Sequence, residues 1–195
     1  QSAEVSNQFR RLIERYRVST FTASAPTFEA LLNEPDSRAK SDSVQLAIAT
    51  GMQSNPGLSA KFLAKTGIPL VEAYAVVEAT AIASMNPVGS RPESGSLGIR
   101  LPHQGLSVAI VAWTGEFMRW AQPGECGEVF ISGPNLFEGY LGDPKSEQVT
   151  YLIDEISWFA TGDIGSLDHN GFLRLEEPNS QTRSIQARPA SQTYQ

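Results

Sequence analysis

Residues 73–78, Ala-Tyr-Ala-Val-Val-Glu, place an aromatic ring and a carboxylate at the end of a predicted strand. Ligands of open α/β sheets bind beyond the carboxyl ends of the strands. In that position the ring of Tyr74 could stack on a base, and Glu78 could hold a divalent cation beside phosphates. The same residues also fit a core tyrosine followed by a glutamate on a helix surface, and these residues alone favour that plainer interpretation.

Residues 161–163, Thr-Gly-Asp, follow Trp158 and offer a second binding chemistry. A short acidic side chain on a tight loop can accept hydrogen bonds from two adjacent sugar hydroxyls, each worth about 1.5–3 kcal/mol. Gly162 would let the backbone approach such a ligand closely. An ordinary turn is the alternative, because Gly-Asp is common in loops.

Two further groups of residues complete the candidates. The loop of residues 51–54, Gly-Met-Gln-Ser, follows a predicted buried strand and either lines the face of a base or simply connects two elements. The glycine- and proline-rich segments 123–129, 133–135 and 139–140 look like turns that begin and end a strand. We assign these turns a structural role and no catalytic one.

The first half of the chain has the pattern of an α/β layer. Apolar residues at helical spacing predict an amphipathic helix over residues 6–17, a second helix beginning at Pro26, and a third over 58–65 that ends at Gly67. Short apolar runs predict strands at 18–23, 44–49 and 69–74, followed by a short helix at about 78–82. Alternating strands and helices indicate a parallel sheet with right-handed crossovers.

The second half changes character after Asn86. Short strand-like segments at 106–112, 127–132, 159–167 and 172–175 are bounded by turn residues, and residues 168–171, Asp-His-Asn-Gly, predict a hairpin. We therefore expect an α/β subdomain at 1–90 and a β-rich subdomain, a small antiparallel sheet or partial barrel, at 91–176. A poorly ordered tail at 177–195 follows.

Composition excludes several classes of function. The chain has 195 residues, 41% apolar, with 15 basic and 21 acidic side chains and a net charge of −6. No basic stripe with interleaved aromatic residues is present, so we expect no nucleic-acid partner. One cysteine and two histidines argue against a disulfide or a histidine-rich metal site. No segment is apolar enough to predict a membrane span, and the acidic balance fits a cytoplasmic protein.

Taken together, five segments in order resemble the adenylate-forming superfamily of acyl-CoA synthetases, peptide-synthetase adenylation domains and luciferases. Its motifs are Gly-Tyr-Gly-x-Thr-Glu, Pro-Gly-x-x-Gly-Glu, Gly-Pro-x-x-x-x-Gly-Tyr, Trp-x-x-Thr-Gly-Asp and Asp-x-x-Gly-Tyr. The matching residues are 73–78, 123–128, 133–140, 158–163 and 168–172. Residues 24–27, Ser-Ala-Pro-Thr, also resemble the family's acyl-pocket motif. The resemblance runs from about Phe9 to Leu175, and five blocks in order are more specific than any single one.

The resemblance implies a role for each matching position. Tyr74 would stack on adenine, Glu78 would coordinate Mg²⁺, and Asp163 would bind the ribose hydroxyls. The remaining implied nucleotide-binding positions are Gly51, Met52, Gln53 and Val77, and the implied acyl-pocket positions are Ala25, Phe28, Ala73 and Ala75. The family joins a carboxylic acid to AMP from ATP, releases pyrophosphate, and usually transfers the acyl group to coenzyme A. It does so by positioning and charge neutralisation, without a protein nucleophile, so no catalytic residue is assigned.

Several family features are altered or not found in these 195 residues. Ala73 and Ala75 stand where the family has glycine, and Val77 replaces the threonine that contacts phosphate. Residues 177–181 replace the hinge motif, and the phosphate loop and the lysine-bearing C-terminal domain are not found. Each lost charged contact costs about 2–5 kcal/mol, against about 8 kcal/mol for micromolar binding. We therefore expect millimolar nucleotide binding at best, and no adenylation by this chain alone.

Two explanations of these differences stay open. The chain is either a fragment of an active acyl-CoA synthetase-like enzyme, or a degenerate, non-catalytic member of the fold that binds a partner. An unpaired sheet edge would favour self-association. A third and weaker alternative is an unrelated α/β binding module with chance motifs.

Overall fold

The computed structural model describes residues 9, 11–33, 43–51, 57–89, 95–141 and 150–176. These residues form two compact units. The first, called here the α/β unit, contains the described residues through Tyr74 and those between Asn86 and Gly95. The second, the β unit, contains Ala75–Met85 and the described residues from Ser96 onwards. The predicted tail at 177–195 lies outside the described residues.

Three strands and three helices alternate along the α/β unit. The elements are helix α1 at residues 11–16, β1 Thr20–Ser24, α2 Ala25–Asn33, β2 Leu46–Thr50, α3 Leu58–Thr66 and β3 Leu70–Val76. The strands β1, β2 and β3 are adjacent and parallel, with Thr20 opposite Leu46 and Ala47 opposite Leu70. The predicted parallel sheet with intervening helices is therefore confirmed.

The core of this unit lies where α2 and α3 cover the sheet. Phe28 is fully buried, and its ring stacks on Phe21 at a centroid distance of 5.4 Å and meets the edge of Phe62 at 5.2 Å. Small residues of β2, such as Ala47 and Ala49, leave room for these rings. Gly67 ends α3 in a left-handed conformation and donates its N–H to the carbonyl of Leu63 at 2.8 Å, as the sequence predicted.

The predicted short helix at 78–82 is wrong in type and extent. Only Val77–Ala79 is helical, as a single 3-10 turn closed by a hydrogen bond from the N–H of Thr80 to the carbonyl of Val77 at 3.0 Å. Thr80 and Ala81 have positive φ values of 61° and 148°, which end the turn. The chain then forms strand β4, Ala81–Met85, which pairs antiparallel with β5, Ile99–Arg100.

The rest of the β unit is a six-stranded antiparallel sheet. Its strands are β6 Gly105–Val111, β7 Phe117–Trp120, β8 Gly127–Ser132, β9 Thr150–Ile153, β10 Ile156–Leu167 and β11 Leu173–Leu175. Their order is β11-β10-β8-β6-β7, with β9 paired to β10. Every residue of β8 is buried, as befits a central strand. The predicted antiparallel second half is confirmed, although β7 and β9 were not anticipated.

The predicted hairpin at residues 168–171 joins β10 to β11. The carboxylate of Asp168 accepts hydrogen bonds from the N–H groups of Asn170 and Phe172 at 2.8 and 2.9 Å, and Gly171 has a φ of 81°. A side chain that bonds to the backbone two residues on is the usual reason for aspartate at such a turn. Within the described ranges, no helix combines the length and hydropathy needed to cross a bilayer.

Candidate functional site

Glu78 lies in the middle of the 3-10 turn and is held at two points. The N–H of Phe137 donates to its backbone carbonyl at 2.8 Å, and the hydroxyl of Tyr140 donates to its carboxylate oxygen Oε1. The side chain of Glu78 is half-buried. The hydrogen bond to this carboxylate, with smaller contributions from burial and the negative charge, raises the pKa of Tyr140 to about 12. The contact therefore favours the neutral form of the tyrosine hydroxyl.

The chain from Gly133 to Tyr140, called here the clamp segment, fixes the 3-10 turn. Asn135 donates its side-chain N–H to the carbonyl of Ala79 at 2.7 Å, and the hydroxyl of Thr80 donates to the carbonyl of Asn135, also at 2.7 Å. The side-chain oxygen of Asn135 is buried, and no hydrogen-bond donor reaches it from the part of the chain that the structure describes. The turn is thus held by hydrogen bonds with Asn135, Phe137 and Tyr140 of the clamp segment.

The clamp segment also contacts the strand that carries Asp163. The ring of Phe137 meets the edge of the Phe159 ring, on β10, at a centroid distance of 5.5 Å, and packs against Tyr140 at 4.8 Å. Phe159 is buried. One segment therefore connects the turn that bears Glu78 with β10. We predicted a structural role for it, but the contact of Tyr140 with Glu78 was missed, and the 62-residue separation leaves no local sequence signal for it.

Asp163 lies in an irregular part of β10 rather than in a free loop. Ala160 pairs with Phe130 and Ile164 with Glu128 of β8, so residues 161–163 stand opposite one residue, Val129. Such a bulge bends a strand and redirects side chains. Gly162 adopts a φ of 78°, which suits glycine.

Thr161 holds this bulge from within. Its hydroxyl donates to the carbonyl of Val129 at 2.9 Å and accepts the N–H of Asp163 at 3.1 Å. Neither bond uses the side chain of Asp163, which is half-buried. In the Thr-Gly-Asp sequence, the first two residues thus shape the backbone of the bulge, and the third carries the carboxylate.

The predicted positions in the α/β unit are mostly buried. Tyr74 is only 2% exposed, and Ala73 is fully buried. Ala25 and Phe28 belong to the core between the helices and the sheet. Gly51 follows β2 with a φ of 104°, while Met52 and Gln53 lie outside the described residues. The base-stacking role of Tyr74 and the acyl-pocket roles stay predictions.

Two predicted residues, Ala75 and Val77, follow the unit boundary at Tyr74 and belong to the β unit. Ala75 is half-buried at the end of β3. Val77 is 83% exposed, although it is apolar. A threonine at this exposed position could donate a hydrogen bond to a phosphate, and valine cannot.

The carboxylate of Glu78 suits a magnesium ion that is shared with phosphates. Among the described residues, no group of three or more histidine, cysteine, aspartate or glutamate side chains is positioned to enclose a metal. Mg²⁺ commonly binds through one or two carboxylates together with substrate phosphates and water, and needs no such cage. A single half-buried carboxylate that accepts one hydrogen bond from Tyr140 fits that chemistry.

Comparisons with known proteins agree with these motifs. The family described as AMP-binding enzyme matches residues 2–141. Marinolic acid–CoA ligase of Pseudoalteromonas sp. (strain SANK 73390) is 30% identical over 172 residues, which is 87% of this chain and 25% of that protein. Oxalate–CoA ligase of Arabidopsis thaliana is 30% identical over 173 residues, 84% of this chain and 31% of the relative.

The fold agrees as well. The structure of a long-chain-fatty-acid–CoA ligase from Archaeoglobus fulgidus superposes with a TM-score of 0.72 and 23% identity over 93% of this chain and 38% of that one. The chain spans about a quarter to a third of the length of the two ligases it matches in sequence. The resemblance inferred from the five motifs is confirmed: the chain belongs to the AMP-binding family of adenylate-forming enzymes.

Proposed function

We propose that this chain contributes the ribose-binding and magnesium-binding parts of the nucleotide site of an AMP-forming carboxylate–CoA ligase. The observation that carries the proposal is the clamp segment. It bonds to the turn that bears Glu78 and packs on the strand that presents Asp163. Both predicted polar ligands of the nucleotide therefore belong to one set of contacts inside the β unit.

Asp163 is the ribose-binding group in this proposal. An ionised carboxylate has two oxygens that accept hydrogen bonds, which matches the two hydroxyls of a ribose. The bulge in β10 presents this side chain on a backbone fixed by Thr161. A carboxylate presented on a rigid strand loses little freedom on binding, so more of its interaction energy is realised as affinity.

Glu78 is the magnesium-binding group. When bound, Mg²⁺ would neutralise negative charge on the phosphates of ATP. The residues of this chain orient the nucleotide for attack by a carboxylate on the α-phosphate, and none of them acts as a nucleophile. Tyr74, Gly51, Met52 and Gln53 complete the proposed adenine side.

The identity of the acid is left open within the class of carboxylic acids. The relatives act on acids as different as marinolic acid and oxalate. Ala25, Phe28, Ala73 and Ala75 are the proposed acyl-pocket positions, and three of them are buried in the α/β unit. Coenzyme A is the proposed acyl acceptor, and the net charge of −6 fits the proposed cytoplasmic location.

A non-catalytic role in binding a partner is the second candidate, and Val77 favours it. An 83% exposed valine stands where the family's threonine would contact phosphate. We propose, for either function, self-association through the outer edge of β1, which lies at the end of its sheet among the described strands. Dilution of the chain on a sizing column tests this, because an edge-to-edge dimer should dissociate.

A nucleotide titration followed by amide NMR tests the main proposal. AMP and a non-hydrolysable acyl-adenylate analogue should shift amides of the bulge and the 3-10 turn, with a dissociation constant of roughly millimolar. Asp163→Asn should weaken binding by about 10- to 150-fold, which corresponds to about 1.5–3 kcal/mol for a charged hydrogen bond.

Asp154→Asn is the matched control. It makes the same chemical change at an exposed position of the turn between β9 and β10, where φ is 50° and asparagine is tolerated. This variant should bind like the parent chain. Absence of binding by the parent chain would favour the non-catalytic alternative, and equal binding by Asp163→Asn would remove Asp163 from the site.

A further inference from the structure

We propose that Tyr140 is a positioning residue for the magnesium ligand Glu78, an inference that rests on the proposed function. The hydroxyl of Tyr140 donates to one carboxylate oxygen, Oε1. The second oxygen, Oε2, has no hydrogen-bond donor among the residues that the structure describes. A carboxylate offers about four lone pairs, so one donor leaves ample capacity for a cation.

The donor is neutral, and this matters for a metal ligand. A lysine or arginine at position 140 would orient Glu78 but would also cancel the negative charge that attracts Mg²⁺. The tyrosine hydroxyl orients the carboxylate and leaves its charge intact. In the described part of the chain, Glu78 has no ion-pair partner, so this hydroxyl is the group that fixes its side chain.

Glu78 would otherwise be free to rotate. A glutamate that becomes fixed loses about 1.5–2 kcal/mol of side-chain entropy, which must come from the binding energy unless the side chain is already ordered. Here the backbone of Glu78 is bonded to Phe137 and its carboxylate to Tyr140, and the two aromatic rings pack on each other. The clamp segment therefore orders both ends of the ligand before a cation arrives.

Groups that orient metal ligands without touching the metal typically change metal affinity by 10- to 100-fold. Tyr140→Phe removes only the hydroxyl and keeps the ring against Phe137. We expect this substitution to raise the Mg²⁺ concentration needed for half-maximal enhancement of nucleotide binding by about 10-fold or more. The affinity for the nucleotide in the absence of metal should stay unchanged, because the hydroxyl would act only through Glu78.

The experiment measures binding of the non-hydrolysable ATP analogue AMP-PNP to the 195-residue chain by amide NMR, first with EDTA and then across a series of MgCl₂ concentrations. Glu78→Gln should abolish the magnesium-dependent gain. Tyr151→Phe is the matched control, because it removes a tyrosine hydroxyl that donates to the carbonyl of Gly115 at 2.7 Å in the same unit. This control should keep the full magnesium-dependent gain.

The outcomes separate the two proposals. If the parent chain binds AMP-PNP with a magnesium-dependent gain and Tyr140→Phe keeps that gain, the positioning role is wrong while the proposed function stands. If the parent chain binds no nucleotide, both proposals are wrong. Equal losses with and without metal, or an unfolded variant by tryptophan fluorescence, would assign the hydroxyl a purely structural role and overturn the inference.

Discussion

Replacing Thr161 with valine should disturb both the stability of the β unit and the presentation of Asp163. Valine has nearly the shape of threonine but no hydroxyl, so two hydrogen bonds are lost without a large change in volume. These are the bond to the carbonyl of Val129 at 2.9 Å and the bond from the N–H of Asp163 at 3.1 Å. Each is worth about 0.5–1.5 kcal/mol net, and a buried group left without a partner costs about 1–3 kcal/mol.

We therefore expect a loss of about 1–3 kcal/mol in the free energy of unfolding. The assay is urea unfolding followed by tryptophan fluorescence, since the three tryptophans, at 113, 120 and 158, all belong to the β unit. Because the bulge then lacks its internal support, binding of AMP should weaken in the same variant. The stability effect and the binding effect are measured separately.

Thr66→Val is the matched control for this experiment. The hydroxyl of Thr66 makes the same pair of bonds at the end of α3, donating to the carbonyl of Phe62 at 2.7 Å and accepting the N–H of Ile68 at 3.1 Å. That change should destabilise the chain without a specific effect on the Asp163-dependent part of AMP binding. Our reasoning about the bulge would be refuted if Thr161→Val changed neither stability nor AMP affinity.

Three other changes are predicted. Phe28→Ala should lower the free energy of unfolding by about 3–5 kcal/mol, since this ring is fully buried. Unfolding followed by circular dichroism measures this loss, and a loss below about 1 kcal/mol would contradict a core role. Gly165→Ala should lower the free energy of unfolding in urea by about 1–3 kcal/mol, because the new Cβ would lie 2.5 Å from the Arg174 carbonyl oxygen. An unchanged urea midpoint would contradict this. The guanidinium of Arg119 donates two hydrogen bonds to the carboxylate of Glu125, and the N–H of Gln122 adds a smaller effect. Together they lower the pKa of Glu125 to about 2. Because this pKa lies below its value in the unfolded chain, the pair stabilises the fold above about pH 4.5 and loses that effect as the pH falls through 2. Carboxyl NMR should show a higher Glu125 pKa in Arg119→Gln, and an unshifted titration would exclude the ion pair as the cause.

The parts of the fold that were predicted correctly depend on local chemistry. Gly67 ends α3 because only a left-handed residue closes that helix, and Asp168 forms the hairpin through bonds to its own neighbours. Such contacts join residues at most four positions apart, so they are visible in the order of the amino acids. The apolar runs that became β2 and β3 are equally local signals.

The errors occur where distant contacts outweigh local preference. Residues 78–82 have helical propensity, yet the helix stops at Ala79. There the clamp segment, more than fifty residues later, bonds to Ala79 and Thr80. The side-chain N–H of Asn135 satisfies the carbonyl of Ala79, and strand β4 begins two residues later. The bulge in β10 likewise depends on a distant contact, because it lies where the pairing of β10 with β8 shifts in register.

These distant contacts are concentrated around the two proposed nucleotide ligands. The clamp segment orders Glu78. The same segment packs on β10, whose bulge carries Asp163. A functional site needs side chains held in fixed positions by the groups packed around them. Among the five motifs, residues 73–78 and 133–140 mark the two ends of one such contact, between Glu78 and Tyr140. The Gly-Pro-x-x-x-x-Gly-Tyr block therefore has a physical reason to accompany the block that ends in Glu78: its tyrosine supplies the hydroxyl that orients the glutamate.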